Sequence, residues 1–335
     1  MVGIDIGSKS IKIVELVKSG SSYSLKSSGA VGYVGISPDR IIEEKDFNAL
    51  SDVIKKLVSQ IGIYTKEVNV SIPESIVFTR IVKFPLLSDE EVDAAVKWEA
   101  EQYIPIPAAE AVIQYTILEK NQATMQTSVL LVASPKIVVE KYIKVLRLAG
   151  LTPIVAETEL TALCRSLSPD KGTSLLLDLG ASATDMAIVK DRNIVFTRSI
   201  PVAGEAFTRA VAQGLGISPQ QAEEYKKTYG LSGDQLEGKV KLALSPVLKM
   251  VTDEIKKAVS FFQSEEKGEA PTSLVVTGGG SIMPDLVPFL TASLGIETVL
   301  GNSFSRVALD AETAKNLAPY DAIYGASVGL ALREE

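Results

Sequence analysis

The sequence predicts an α/β fold of two related lobes, with a smaller βαβ-type subdomain inserted into the first. Three observations predict it. Two apolar runs end in the same kind of small-residue turn and resume: Val2-Gly3-Ile4-Asp5-Ile6-Gly7-Ser8-Lys9-Ser10, and Leu175-Leu176-Leu177-Asp178-Leu179-Gly180-Ala181-Ser182. Each is a β-hairpin signal, and its occurrence twice points to internal repetition. Strand-like runs alternate with helical-period segments, the ordering of an α/β chain. At 335 residues, 46% of them hydrophobic, the chain has the length of two or three ordinary globular domains.

The elements follow in order. Residues 2–6 and 11–17 read as strands, and 23–34 as a third. Residues 46–61 carry Phe47, Leu50, Val53, Ile54, Leu57, Val58 and Ile61 at a helical period, with Asp46 expected as N-cap. Residues 68–72 and 76–84 read as strands divided by Pro73. Ser88 and Glu91 form a capping box for a helix carrying Val92, Ala95, Val96, Trp98 and Tyr103, which stops at Ile104-Pro105-Ile106-Pro107. Strands at 112–118 and 127–133, a helix at 136–149 and a strand at 152–156 complete an expected insertion, residues 85–156. It separates 1–84 from a helical return of the first domain at 157–172.

The second lobe is expected at 173–335. After its hairpin come a strand at 193–200 and a helical subdomain at about 204–270. Within that subdomain Gly216 and Gly230 end two helices, and Ser218-Pro219 starts the second of them. A buried strand at 274–277 runs into Gly278-Gly279-Gly280-Ser281. Helices at 284–294 and 321–332 finish the chain.

Composition narrows the chemistry. The chain has no histidine, which removes His bases, His metal ligands and Ser-His-Asp catalysis. Its single cysteine, Cys164, excludes an internal disulfide and a thiolate zinc site and fits a reducing compartment. A net charge of −7 argues against nucleic acid. No apolar run approaches the roughly 20 residues of a membrane span, and the first strand, carrying Asp5 without a basic leader, does not read as a signal peptide. A cytoplasmic protein is expected, working through carboxylates, hydroxyls, Lys/Arg and a hard cation.

Hairpin, insertion, acidic helix, second hairpin, helical segment and glycine triplet, in that order, resemble the actin-like ATPase superfamily. Its ribonuclease H-like two-lobed fold is shared by actin, sugar kinases and the bacterial proteins MreB and FtsA. The resemblance implies ATP and Mg²⁺ as cofactors. Asp5, Gly7, Ser8, Lys9 and Ser10 would form the first phosphate loop, and Asp178, Gly180, Ala181, Ser182 and Thr184 the second. Gly204 joins them, and Gly278, Gly279, Gly280 and Ser281 would lie at the adenosine. Backbone N–H groups and hydroxyls suit phosphate, and Asp5 and Asp178 would hold Mg²⁺ through water. Glu223 and Lys226 match the Glu-x-x-Lys helix at ribose and adenine, although such a pair is also an ordinary i, i+3 ion pair. Besides Asp178, Glu159 is the catalytic candidate. It resembles the acid that positions the attacking water, and equally suits a helix start. Ala183 stands where several hydrolytic members carry threonine, and Thr184 would face the other side of its strand. Slow or regulatory hydrolysis is therefore expected.

Within that superfamily, the stretch from Val96 through Trp98 to Pro107, with Lys83-Phe84-Pro85 and Ala149-Gly150-Leu151, resembles the PilM family of type IV pilus assembly proteins. The resemblance runs over nearly the whole chain. It implies an adaptor peripheral to the inner membrane that takes the cytoplasmic N-terminal tail of PilN into a groove between first domain and insertion. Trp98, Tyr103, Ile104 and Ile106 would line or support that groove. Pilus motor and platform components would be further partners, and self-association stays open. Two alternatives remain. An FtsA-like division adaptor ends in an amphipathic membrane helix, whereas this sequence ends Leu330-Ala331-Leu332-Arg333-Glu334-Glu335. A small-molecule kinase needs a catalytic aspartate over a sugar or acyl pocket, which no motif here supplies.

Overall fold

A computed structural model describes residues 1–264 and 267–334. The chain opens with β1 (Val2–Ile6), β2 (Ser10–Ser19) and β3 (Ser22–Gly32), then α1 (Glu44–Gln60) and β4 (Glu67–Ile72). β5 (Phe78–Pro85), α2 (Asp89–Tyr103), β6 (Ala111–Asn121) and β7 (Gln126–Pro135) follow, then α3 (Lys136–Leu148), β8 (Thr152–Thr158) and α4 (Glu159–Leu167). Next come β9 (Thr173–Leu179), β10 (Thr184–Lys190), β11 (Asn193–Ile200), α5 (Gly204–Leu215), α6 (Pro219–Tyr229) and α7 (Lys239–Ser264). The chain closes with β12 (Ser273–Thr277), α8 (Leu286–Leu294), β13 (Glu297–Leu300), β14 (Val307–Ala308), α9 (Ala311–Leu317) and α10 (Gly325–Ala331).

Three sheets organise these elements. The first lobe holds a six-stranded sheet in the order β14-β3-β2-β1-β4-β8, the second a five-stranded sheet in the order β11-β10-β9-β12-β13. In each, the hairpin strands are antiparallel and the inner neighbours β4 and β12 join parallel. That shared pattern is the structural form of the repeat seen in the sequence. The leading strands β1 and β9 are flanked on both sides, which suits their nearly unbroken apolar runs. On one face of the first sheet, α1 and α3 bury Ile54, Leu57, Tyr142 and Leu146. On the other, α10 packs against β1 and α4. Its approach depends on Gly329, where a Cβ would lie 1.9 Å from the Ala162 carbonyl oxygen. The second sheet carries the core built by α5 to α8, including Phe207, Leu244, Val251, Ile255 and Phe262.

The insertion is a three-stranded sheet, β5-β7-β6, antiparallel throughout, with α2 on one face. Val92, Val96 and Ala100 of α2 bury against Val82, Phe84, Val129 and Leu131. The other face offers Leu130, Ile81 and Val132 to a cluster that includes Val189 and Ile194 of the second lobe. The insertion therefore rests on both lobes.

Several boundaries differ from expectation. The insertion sheet ends at Pro135: α3 packs on the first sheet and β8 pairs parallel with β4, so residues 136–158 lie with the first lobe. Helix α1 begins before Asp46, capped by the backbone of Glu43, and Asp46 lies in its first turn. The expected helix at 321–332 is a 3₁₀ segment, Ala318–Tyr324, leading into α10. Its carbonyls serve other partners, since Asp321 O accepts from Ser303 Oγ and Ala322 O from Thr277 Oγ1 and the Gly278 N–H. The capping boxes at Ser88–Glu91 and Ser218–Gln221 form as their sequences require. β13, β14 and α9, of four, two and seven residues, escaped the sequence reading.

Candidate functional site

Both hairpin turns close the same way. The Gly7 N–H donates to Ser10 O at 3.0 Å and the Gly180 N–H to Ala183 O at 3.1 Å. The two tips, 174 residues apart in sequence, meet where Ser8 Oγ and Ser182 Oγ hydrogen-bond at 2.7 Å. Lys9 leaves the turn and pairs with Glu205 at the start of α5, 3.2 Å away. Helix α5 is itself fixed to the second turn, since the Gly204 and Glu205 N–H groups donate to Gly180 O and Ala181 O at 3.1 and 2.8 Å. Gly204 thus supports the loop from behind. Thr184 is buried, and its hydroxyl donates to Val202 O at 2.6 Å, so it braces the turn from within the second lobe.

Behind the tips lies a buried charge cluster. Asp5 and Lys12 face each other across β1 and β2, and Lys12 Nζ donates to Asp5 Oδ2 at 2.9 Å, their side chains only 7% and 12% exposed respectively. Ser71 of β4 donates to the other carboxylate oxygen, also at 2.9 Å. Lys12, absent from the sequence reading, is thus the ammonium of the site. Burial opposes its charge, but Asp5, with Asp178 and Glu159 beyond it, holds it above the ordinary lysine value. Asp178 stands opposite Asp185 across β9 and β10. Burial, then Asp185 and Asp5, pushes Asp178 up to about 7 against the pull of Lys12. Asp185 is likewise raised to about 7 by burial, with Glu74 adding to the effect and Ser199 opposing it. Glu159, at the first position of α4, is driven well above the usual carboxylate range by burial and then by Asp5, Asp178 and Asp185. Buried acids outnumber the ammonium, an arrangement that favours a bound cation.

The glycine turn after β12 joins the same group of residues. Thr277 pairs with Asp178, so the chain must turn immediately beside that carboxylate. Gly278 does so at φ +86°, where a Cβ would lie 2.0 Å from Asp178 Oδ1. Gly280 donates to Leu179 O at 2.8 Å, while Gly279 is exposed with open space above it. The Ser281 hydroxyl is turned inward onto Gly278 O at 2.7 Å, so it braces the turn.

On α6, Lys226 Nζ donates to Glu223 Oε2 at 2.6 Å, Thr208 Oγ1 at 2.9 Å and Gly204 O at 3.1 Å. Glu223 is half-buried. Burial would raise it, but hydrogen bonds from Lys226 and Thr208 outweigh that and hold it at about 2. The pair is therefore tied to the start of α5 and hence to the second turn. Thr208 escaped the sequence reading.

Tyr33 was also missed. It sits just past β3, donates its hydroxyl to Gly7 O at 2.8 Å and its N–H to Lys9 O at 3.0 Å, and so grips the first turn from both sides. The signal was faint: one aromatic residue at a strand end.

These residues fit a phosphate ester and a divalent cation held through water. Small-residue turns present backbone N–H groups, and Lys12 supplies positive charge behind them. Both Asp5 oxygens already have donors, and among the described residues no three acidic, His or Cys side chains converge as direct metal ligands. A hydrated ion suits that donor set better than a bare one.

The insertion places the other four candidates differently. Trp98 is 86% exposed on the outer face of α2. Ile104 is buried in the insertion core, with Tyr103 and Ile106 packed against it, and the Arg80 guanidinium lies 5.3 Å from the Tyr103 ring centre. Ile104 thus braces the insertion core.

A family model described as type IV pilus assembly protein PilM matches residues 3–335. The cell division protein FtsA of Enterococcus hirae is 24% identical, the match covering 89% of this chain and 77% of FtsA. FtsA of Bacillus subtilis is 20% identical over 85% of this chain and 74% of its own length. Among solved structures, a PilM-PilN type IV pilus biogenesis complex superposes with TM-score 0.84 and 28% identity, over 99% of this chain and 97% of that one. The ethanolamine utilization protein EutJ of Carboxydothermus hydrogenoformans gives 0.61 at 15% identity, over 99% and 88%. MreB5 of Spiroplasma citri bound to ADP gives 0.52 at 15%, over 98% and 94%. The last two establish the actin-like fold alone. Among the described residues no helix is long and apolar enough to cross a membrane.

Proposed function

The chain belongs to the family of the type IV pilus assembly protein PilM, and from that premise we propose that it is an ATP-binding, actin-like adaptor for the cytoplasmic tail of PilN. It would work peripheral to the inner membrane, held there by that partner. The observation that carries the adaptor reading is the likeness, over almost the entire chain, to the PilM-PilN complex. The nucleotide reading is supported by the two turns whose tips meet at Ser8 and Ser182 in front of Lys12, Asp5 and Asp178.

In this reading the N–H groups at the two turn tips, Ser8 and Lys9 in the first and Ala181 and Ser182 in the second, receive the phosphates, and Lys12 balances their charge. Glu223, Lys226 and the Gly278–Gly280 turn flank the nucleoside. Mg²⁺ bound through water near Asp5 and Asp178 would neutralise the surplus acid. Burial and the neighbouring Asp5, Asp178 and Asp185 hold Glu159 well above the usual carboxylate range, which disfavours its ionised, proton-accepting form, and a cation nearby would oppose that shift. With Thr184 turned away onto Val202, slow turnover suits the site better than rapid hydrolysis.

Calorimetric titration of the chain in Mg-ATP with a synthetic PilN tail peptide tests the adaptor role. Saturable one-to-one binding is expected. No heat, with nucleotide demonstrably bound, would leave the fold standing and turn attention to a division adaptor of the FtsA kind. Tyr33→Phe tests the loop clamp. Losing one hydrogen bond should lower stability by about 1 kcal/mol and weaken Mg-ATP several-fold while adenosine binding is unchanged. Equal losses for both ligands would show that Tyr33 serves packing alone.

A further inference from the structure

Between β4 and β5 a single 3₁₀ turn, Glu74–Ile76, carries the chain from the first sheet into the insertion. Its first residue, Glu74, is only 4% exposed. One carboxylate oxygen, Oε1, accepts from Thr79 Oγ1 of β5 at 3.0 Å. Thr158, which caps α4, and Thr197 of β11 also direct hydroxyls to this carboxylate. Hydroxyls from the insertion, the first lobe and the second lobe thus meet on one acid.

Asp185 reaches the same seam from the second lobe. In the register of β10 and β11, Asp185 faces Ser199 and Ala187 faces Thr197, so Asp185, Ser199 and Thr197 project from one face of the sheet. That face meets α4, since Ala187 shares a buried cluster with Leu160 and Leu163. Asp185 is 5% exposed, and the charge of Glu74 reaches it.

Among the described residues, Glu74 Oε2 and Asp185 Oδ1 are buried and have no hydrogen-bond partner. Buried charges are ordinarily paired or bound to a metal ion, and an orphaned buried oxygen calls for a physical cause. The polar side chains that oppose burial at these carboxyls are hydroxyls: Thr79, Thr197 and Thr158 at Glu74, and Ser199 at Asp185. No ammonium or guanidinium is described among them. Burial pushes both carboxyls above the usual range, as it does any acid whose charge goes unmatched.

The donor set favours a monovalent ion. Carboxylate and hydroxyl oxygens can take the place of an ion's hydration shell. Mg²⁺ gives up its waters reluctantly, and no three acidic, His or Cys side chains converge among the described residues. We propose that the seam between Glu74 and Asp185 binds a monovalent alkali cation, held by Glu74 Oε2, Asp185 Oδ1 and the surrounding hydroxyls. The site lies on the β11 side of Asp185, whereas Asp178 stands on the β9 side. It depends on neither the nucleotide nor the adaptor reading. The bound ion would join the insertion to both lobes where Thr79, Thr158 and Thr197 meet.

The test uses the full chain without nucleotide, freed of divalent ions by a chelator. It is melted in potassium chloride, sodium chloride and N-methylglucamine chloride at equal ionic strength. One of the alkali cations should raise the melting temperature by about 3 °C, with a saturable dependence on its concentration. Glu74→Gln should lose that rise. Thr197→Val, which removes one hydroxyl, should shift the midpoint of the response to about tenfold higher cation. Crystals soaked in thallium(I) acetate should show an anomalous peak between Glu74 and Asp185. Equal melting of the wild type in all three salts would overturn the site, as would a full alkali response in Glu74→Gln. A thallium peak confined to the cleft at Asp5 and Asp178 would do the same, by placing the ion there.

Discussion

Lys12→Met should unfold the protein at a denaturant concentration well below that of the wild type and abolish measurable Mg-ATP binding. The stability effect follows from geometry: Lys12 and Asp5 form a buried pair at 2.9 Å in the centre of the first sheet. Removing one partner leaves Asp5 with Ser71 as its remaining donor, and breaking a pair of this kind costs about 3 kcal/mol. The affinity effect follows from charge, because Lys12 is the ammonium that Asp5, Asp178 and Glu159 surround. Urea denaturation and calorimetry read the two effects separately. Asp5→Asn combined with Lys12→Met should recover part of the stability and none of the affinity, since no unpaired buried charge remains. A single variant that melts like wild type and still binds Mg-ATP would show that Lys12 belongs to neither task.

Asp178→Asn should separate binding from stability in the opposite sense. Loss of the carboxylate beside the Gly278 turn is expected to weaken Mg-ATP by about 100-fold, or about 2.7 kcal/mol. The nucleotide-free protein should nevertheless gain thermal stability at pH 8. Asp178 titrates at about 7 in the fold against 3.8 ordinarily, so the folded chain holds its proton more tightly than the unfolded chain. Ionisation therefore disfavours folding. The penalty is absent below about pH 4, grows as pH rises towards 7 and is complete above it. Asparagine copies the neutral form, so the variant and wild type should melt together near pH 4 and diverge by a few degrees at pH 8. A variant that melts below wild type at pH 8 would mean that the Asp178 carboxylate is stabilised in the free protein. Mg-ATP should remove the wild-type deficit, because the cation offsets the same charge.

The two hairpins, the glycine triplet, the Ser88–Glu91 capping box and the Ser218-Pro219 helix start were legible because each is a local matter. A turn needs small residues within four positions, a cap needs a hydroxyl and an acid or amide three apart, and a helix needs its period. The Asp5 and Asp178 loops could be paired as halves of one site for the same reason, since the motif repeats in the text. The Thr184 side chain could be expected to turn away because strand alternation is also local.

What stayed hidden depends on register and on surfaces that meet only in the fold. Lys12 reads as one polar residue in an apolar strand until pairing sets it against Asp5. Ser71 reaches the same carboxylate from 66 residues away. The end of the insertion could not be placed, since β8 reads as one more strand until it pairs with β4 in the first sheet. Trp98 on an amphipathic helix suits core or surface equally, and its exposure was decided by Val92, Val96 and Ala100, which fill the inner face and leave the indole outside. The sequence by itself thus determined the turns, caps and periods of this protein, whose energies come from neighbours along the chain. Only tertiary structure decided which charges share the cleft, where the insertion ends and which face of α2 is left open, because those follow from long-range pairing and from the competition of whole surfaces for burial.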